Sequence, residues 1–340
     1  MRTLFLLAAL FAAPAAAADR LAGYHADTKA LTVSGLSSGG YMAIQVQVAH
    51  SARVAGAAAI AAGPYYCAQG SVWTAYYNCA TPGTWSPLPD IATLKAETER
   101  FAREGRIDPT SHLAAARVWF LTGAQDRTVE RPVVEAAAQF YAAFGVKNIP
   151  VHRRRSGHAM VTMNAGSACG SSEPPFIVDC DYDAAGALLA HLLGPLKPAA
   201  AKESGRLLAF DQKPFAGGNA HALSLADTGY AYVPAACTGE RCNVHVAFHG
   251  CRQGAEAVGE RFVRDAGYNR WADTNRLIVL YPQAIARFGL GFSGGRLSYA
   301  YNPRGCWDWW GYTSAQYATK AAPQIRAVMA MVERLGAPRP

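Results

Sequence analysis

The sequence predicts an α/β fold, a mostly parallel central sheet with helices on both faces. Three observations carry this expectation. Short β-rich runs alternate with helical stretches along the chain, as in crossover-connected parallel strands. A serine between glycines stands where one strand gives way to a helix, and later strands end in loops bearing an acid or a histidine. The composition suits a large folded core: 51% of the 340 residues are hydrophobic and 16% charged, which excludes intrinsic disorder. The 32 glycines and 19 prolines are scattered without period, which excludes a collagen-like or low-complexity chain.

At the N-terminus, Met1 and Arg2 give a positive start, residues 4–13 are apolar, and Ala16-Ala17-Ala18 offers a small-residue cleavage site before Asp19. Residues 1–18 therefore read as an export signal peptide, too short in its apolar part to span a bilayer. Residues 19–340 read as a single secreted catalytic domain, with no membrane insertion. Strands are predicted over 30–34, 54–61, 117–121 and 149–152, and helices over 41–50 and 184–193, the latter stopped by Gly194-Pro195. A Pro-, Ala- and Lys-rich connection over 196–205 joins a first portion (19–195) to a second (206–340). The second portion adds strands over 230–233, 244–248 and 278–281, and helices over 255–275 and 315–335.

Charge and cysteines narrow the function. Lys+Arg outnumber Asp+Glu by 32 to 24, a net charge of +8, but the basic residues are dispersed and the densest run is Arg153-Arg154-Arg155. This is a basic soluble surface rather than a groove for nucleic acid. The eight cysteines contain no C-x-x-C pair, and export would place them where disulfides persist. Local spacing pairs Cys67 with Cys79, Cys169 with Cys180, and Cys237 with Cys242, which leaves Cys251 and Cys306 for one long-range bridge.

Gly35-Leu36-Ser37-Ser38-Gly39 matches G-x-S-x-G, the strand-to-helix elbow that exposes a nucleophilic serine, where flanking side chains would clash with backbone. Gly291-Phe292-Ser293-Gly294-Gly295 matches it too, but with no predicted strand before it or helix after it, so Ser293 reads as a loop residue and Ser37 as the nucleophile. A serine hydroxyl needs a histidine to take its proton and an acid to fix the imidazole. Asp126 follows the strand over 117–121, and His158, in Ser156-Gly157-His158-Ala159, follows the next strand; this is the Ser, Asp, His order of α/β-hydrolases. The other early histidines lie on helices (His50, His191), inside a strand (His152), or away from strand ends (His25, His112, His221).

In the second portion, His249-Gly250-Cys251 closes the strand over 244–248, the kind of turn that aims a backbone N–H at a substrate oxyanion. The Ser38 and Cys251 amides are the expected donors. A metal site on His245 and His249 competes, but no further ligand cluster accompanies them. In ordinary α/β-hydrolases the oxyanion turn precedes the nucleophile; here it comes after, as circular permutation of an intact sheet would produce.

Together, Val33 to Met42, Gly157-His158-Ala159-Met160, Ala226-Asp227-Thr228-Gly229-Tyr230 and Ala247 to Gln253 resemble the secreted, single-domain, circularly permuted poly(3-hydroxybutyrate) depolymerases, from about Gly35 to Trp310. The resemblance implies a serine esterase with Ser37, Asp126 and His158 as triad and Ser38 and Cys251 as oxyanion donors, and it fits a Cys251–Cys306 bridge. Some members carry a separate polymer-binding domain; the chain leaves no room for one, so its catalytic domain is expected to bind polymer itself. Cys306-Trp307-Asp308-Trp309-Trp310 concentrates tryptophans beside the expected disulfide, and Tyr65, Tyr66, Trp73, Tyr76 and Tyr77 cluster around Cys67 and Cys79. Such aromatic surface suits an apolar polyester. Trp307, singled out largely by the resemblance, and Trp309, Trp310 and Tyr41 are the expected substrate contacts. No cofactor and no metal are expected, the partner is polymer or hydroxyacyl oligomer, and the chain is expected to act as a monomer. The alternatives are a feruloyl or acetyl-xylan esterase and a non-catalytic polymer-binding protein on the same scaffold.

Overall fold

The structure, a computed structural model, describes residues 18–293 and 296–339; the expected signal peptide lies, up to residue 17, outside the described residues. In chain order the first portion folds into β1 (Asp27–Leu36), α1 (Ser38–Ala49), β2 (Val54–Ile60), α2 (Ile91–Arg103), β3 (Arg117–Gly123), α3 (Arg131–Ala143), β4 (Val151–Arg154), β5 (Met160–Thr162), β6 (Ser167–Ala168), β7 (Ile177–Asp179) and α4 (Ala184–Leu193). The second portion supplies β8 (Arg206–Asp211), β9 (Thr228–Val233), β10 (Asn243–Phe248), α5 (Ala255–Val258), α6 (Arg261–Asp265), α7 (Tyr268–Thr274), β11 (Leu277–Tyr281), β12 (Arg287–Ser293), β13 (Arg296–Asn302) and α8 (Pro323–Gly336).

Both portions contribute to one eight-stranded sheet, in the order β4-β3-β2-β1-β10-β11-β9-β8. Neighbours from β4 to β11 are parallel, while β9 runs antiparallel to β11 and to β8. The central strands are covered on both faces, so β2 (VAGAAAI) and β11 (LIVLY) read as continuous small or apolar runs rather than alternating ones. α1 is buried along its whole length, and its two glutamines are satisfied inside, Gln45 donating to the Asp308 carbonyl and Gln47 accepting from the Tyr141 hydroxyl. Among the described residues no helix is long and apolar enough to cross a membrane.

β10, the strand carrying the His-Gly turn, lies directly beside the nucleophile strand β1 although most of the chain separates them. The segments before β1 and after α8 also touch: the Tyr24 amide donates to the Leu335 carbonyl and the His25 amide to the Ala337 carbonyl, both at 2.9 Å. Joining these two segments would let the chain visit the oxyanion strand before the nucleophile strand, the ordinary order.

Several expectations are corrected. The single helix over 255–275 is three short ones, because Gly259 and Gly267 take φ values of 63° and 90° that interrupt helical hydrogen bonding. The helix over 315–335 starts only at Pro323, whose fixed φ and missing N–H suit a first turn. Ser293, read as a loop residue, ends strand β12 of a two-stranded β12–β13 ribbon. Tertiary pairing made that ribbon despite its glycines.

Candidate active site

At the C-terminal end of β1 the chain turns directly into α1. Ser37 sits at that junction with φ 55° and ψ −124°, a conformation side chains rarely adopt. The glycines around it are sterically required. A Cβ on Gly35 would lie 2.3 Å from the Gly39 carbonyl, and one on Gly39 would lie 2.4 Å from the carbonyl oxygens of Phe248 and His249. The elbow therefore closes only with glycine at both positions. The Ser37 amide donates to the Ile60 carbonyl at 2.9 Å, which pins the turn to β2.

The acid and the imidazole come from the loops after β3 and β4. One oxygen of Asp126 accepts from the amides of Thr128 (2.8 Å) and Val129 (3.0 Å), and the other meets Nδ1 of His158 at 2.8 Å. Both side chains are almost fully buried. The contact assigns the Nδ1 proton to the carboxylate side and leaves Nε2 to act as base. Ser37 and His158 line the same cavity, of about 120 Å³. No hydrogen bond joins them among the described residues, a gap common before substrate tightens such a site. The two loops press together: a Cβ on Gly123 would lie 2.4 Å from the Ser156 carbonyl, and one on Gly157 2.3 Å from that of Ser171. The segment over Gly157 is cinched by Cys169–Cys180, and Ser172 Oγ accepts the His158 amide at 2.8 Å.

The His-Gly turn is set by its histidine. His249 Nδ1 donates to the Gly250 carbonyl at 2.7 Å, while Nε2 accepts the Ala284 amide at 3.0 Å. Burial holds this imidazole neutral, pushing its pKa down to about 4. With the Gly250 carbonyl held toward the imidazole, the N–H of the same trans peptide unit, that of Cys251, points the opposite way. Cys251 lines the cavity beside Ser37. The Ser38 amide belongs to the first turn of α1, where intrahelical acceptors are lacking. Among the described residues neither amide is engaged elsewhere. His245 is equally committed, with its ring nitrogens on Thr32 Oγ1 (2.9 Å) and Ser34 Oγ (2.7 Å). Neither imidazole has a nitrogen left for a metal.

Aromatic rings wall the cavity. Tyr41 stacks on Trp309 at 3.9 Å and 7°, and Trp310 stands edge-on to Trp309 at 5.5 Å. The Tyr41 hydroxyl donates to the carbonyl of Cys79, itself bridged to Cys67. Asp308 shapes the tryptophan loop, its carboxylate accepting from the amides of Gly311 (2.7 Å) and Thr313 (2.8 Å). Trp307 departs from expectation: it has no exposed surface, packs edge-on to Phe248 at 5.0 Å, and does not line the cavity. Its neighbour Cys306 is bonded to Cys251, so the chain enters the wall from the core and Trp307 remains behind it. Trp309 and Trp310 face the space instead. Three disulfides join the cysteines that local spacing pairs, and the fourth joins the two left over, Cys251 and Cys306. Tyr76, from the aromatic cluster around Cys67 and Cys79, also lines the cavity, and sequence reasoning missed Phe176, Arg252 and Arg304 there. Burial raises the Tyr76 hydroxyl pKa, Arg304 lowers it and Tyr301 raises it, so both groups stand beside this wall.

A serine elbow on a central strand, an acid–imidazole pair on the loops after β3 and β4 and a backbone N–H turn on the neighbouring strand define an α/β-hydrolase. No family model matches the chain. It is 40% identical over 327 residues to the poly(3-hydroxybutyrate) depolymerase of Delftia acidovorans, a match covering 94% of this chain but only 62% of that protein's length. It is 35% identical over 330 residues to the polyhydroxybutyrate depolymerase of Talaromyces funiculosus, covering 94% and 93% of the two chains. The crystal structure of PHB depolymerase from Penicillium funiculosum superposes with a TM-score of 0.82 at 32% identity, over 93% of this chain and 98% of that one. A PHB depolymerase with a serine-to-alanine substitution, complexed with R3HB trimer, gives 0.81. The chain belongs to the poly(3-hydroxybutyrate) depolymerase family.

Proposed function

We propose that this chain is a secreted serine esterase that cleaves poly(3-hydroxyalkanoate) polyesters or their oligomers. The observation that carries the reading is the juxtaposition, in one aromatic-walled cavity, of the strained Ser37 with the His158–Asp126 pair. Ser37 Oγ attacks the ester carbonyl and passes its proton to His158 Nε2, while the Ser38 and Cys251 amides hold the oxyanion. Asp126 steadies the imidazolium. Collapse of the tetrahedral species expels the 3-hydroxyl of the next unit, which takes the proton from His158. Water, deprotonated by the same nitrogen, then releases the acyl group as a carboxylic acid. The R3HB trimer in the related complex supports the substrate class. Four disulfides support a life outside the reducing cytoplasm.

Contact with solid polymer falls to the β12–β13 ribbon. Register pairs Phe288 with Tyr301 and Leu290 with Tyr299, so all four project from one face. They are 64%, 43%, 73% and 55% exposed, an apolar platform without cover. Trp73 and Tyr77, stacked at 5.8 Å and also exposed, lie on the segment that sends Tyr76 to the cavity and add a second apolar surface. Clearing of a poly(3-hydroxybutyrate) suspension with release of 3-hydroxybutyrate units tests the reading. Release of ferulate or acetate from plant-wall esters without polymer clearing would overturn it in favour of a carbohydrate esterase.

A further inference from the structure

The polyester chain is uncharged, yet two guanidinium groups stand at the cavity that would process it. Arg252 and Arg304 both line the catalytic cavity and a neighbouring one of about 220 Å³. Their placement is built into the fold. They flank the Cys251–Cys306 disulfide, and the Arg252 amide donates to the Arg304 carbonyl at 2.7 Å. Arg252 holds φ 57° and lays its guanidinium over the Phe176 ring at 5.1 Å. Arg53, Arg100, Arg261, Arg264 and Arg276 pair with carboxylates elsewhere on the surface. Among the described residues Arg252 and Arg304 pair with none, not even Glu256, which shares the neighbouring cavity.

Arg252 also has a side. Phe176, under Arg252, borders the cavity together with Ser172, the residue that accepts the His158 amide. Arg252 therefore stands toward His158, the group that hands a proton to the departing alcohol. In a 3-hydroxyacyl chain the leaving alcohol carries the carboxyl-terminal part, whose last unit ends in a free carboxylate. An ester carbonyl offers a guanidinium only a neutral acceptor, whereas a carboxylate offers a charge-assisted, two-point contact.

On the esterase reading above, we infer that Arg252 and Arg304 form a subsite for the free carboxylate of hydroxyacyl oligomers, favouring cleavage near the acid end. The subsite would draw the enzyme toward acid-ended fragments as the polymer is shortened. It would also bind the acid product in competition with new substrate.

The test compares 3-hydroxybutyrate trimer as free acid with its methyl ester, on wild-type protein and on R252Q, R304Q and the double variant. The wild type should favour the acid in kcat/KM. Each single substitution should lower the acid-to-ester ratio about 10-fold, chiefly through KM, and the double variant should lower it further. A ratio unchanged in the double variant, with the methyl ester still cleaved, overturns the carboxylate subsite and leaves the esterase reading standing. Wild-type protein that cleaves neither trimer overturns the esterase reading first. A measurement on wild-type protein alone guards against variants that fail to fold: 3-hydroxybutyrate should inhibit more strongly than its methyl ester, and equal inhibition refutes the subsite.

Discussion

The catalytic cavity and the β12–β13 ribbon occupy neighbouring parts of the same surface and are built on opposite principles. In the cavity, the acid, the imidazole and the His-Gly turn are each held by named partners: Asp126 by two amides, His158 by Asp126 and Ser172, and His249 through both ring nitrogens. Glycines stand where a methyl group would collide with backbone. On the ribbon, Phe288, Leu290, Tyr299 and Tyr301 face solvent, ordered by cross-strand register and by the edge-on contacts of Phe288 with Tyr299 and Tyr301 at 5.7 Å. Chemistry requires reacting atoms fixed within fractions of an ångström. Adhesion to an apolar solid requires only area and flatness. One molecule can therefore carry a rigid site beside a permissive one.

Separating the two regions is the sharpest test. Ser37→Ala should lower turnover of a soluble ester by roughly 10⁴- to 10⁶-fold, while adsorption to a polymer film, measured by depletion from solution, persists. Loss of adsorption together with activity would mean that the regions are not independent.

Acid should attack the cavity side of the fold. His249 and His245 are held neutral by burial, with pKa values lowered from 6.5 to about 4 and about 3. The unfolded chain therefore binds more protons than the folded one below pH 6.5, and stability falls as pH drops through that window. For His249 alone the loss between pH 6.5 and 4 is about 3 kcal/mol. Denaturant midpoints measured from pH 7 to 4 should decline accordingly. A flat profile would show that these imidazoles do not stay neutral in the folded state.

His249→Gln should leave the triad intact but release the Gly250 carbonyl, lowering kcat about 100-fold with little change in KM. Unchanged kcat would remove His249 from the positioning of the Cys251 amide. The smallest effect belongs to the ribbon. Phe288→Ser with Tyr301→Ser should lower the ratio of film to soluble-ester turnover about 10-fold, and an unchanged ratio would move polymer contact elsewhere.

Local chemistry made the proposed nucleophile, acid, base and His-Gly turn legible in the sequence. Each needs a particular residue type at a fixed offset from a strand end; Ser37, His158 and Cys251 line one cavity, and Asp126 stands behind His158 on its Nδ1. Short-range disulfides are legible for a similar reason, since nearby cysteines have few alternatives. The sequence could not show which tryptophan faces the cavity. Trp307, Trp309 and Trp310 share one composition, and only the bridge from Cys306 to Cys251 and the Asp308 turn decide that the first is core and the others are wall. Nor could periodicity reveal the exposed ribbon or the arrival of Arg252 and Arg304 at the cavity without a carboxylate partner among the described residues. Exposure and partnership are properties of neighbours distant in the chain, and they exist only once the sheet has brought those neighbours together.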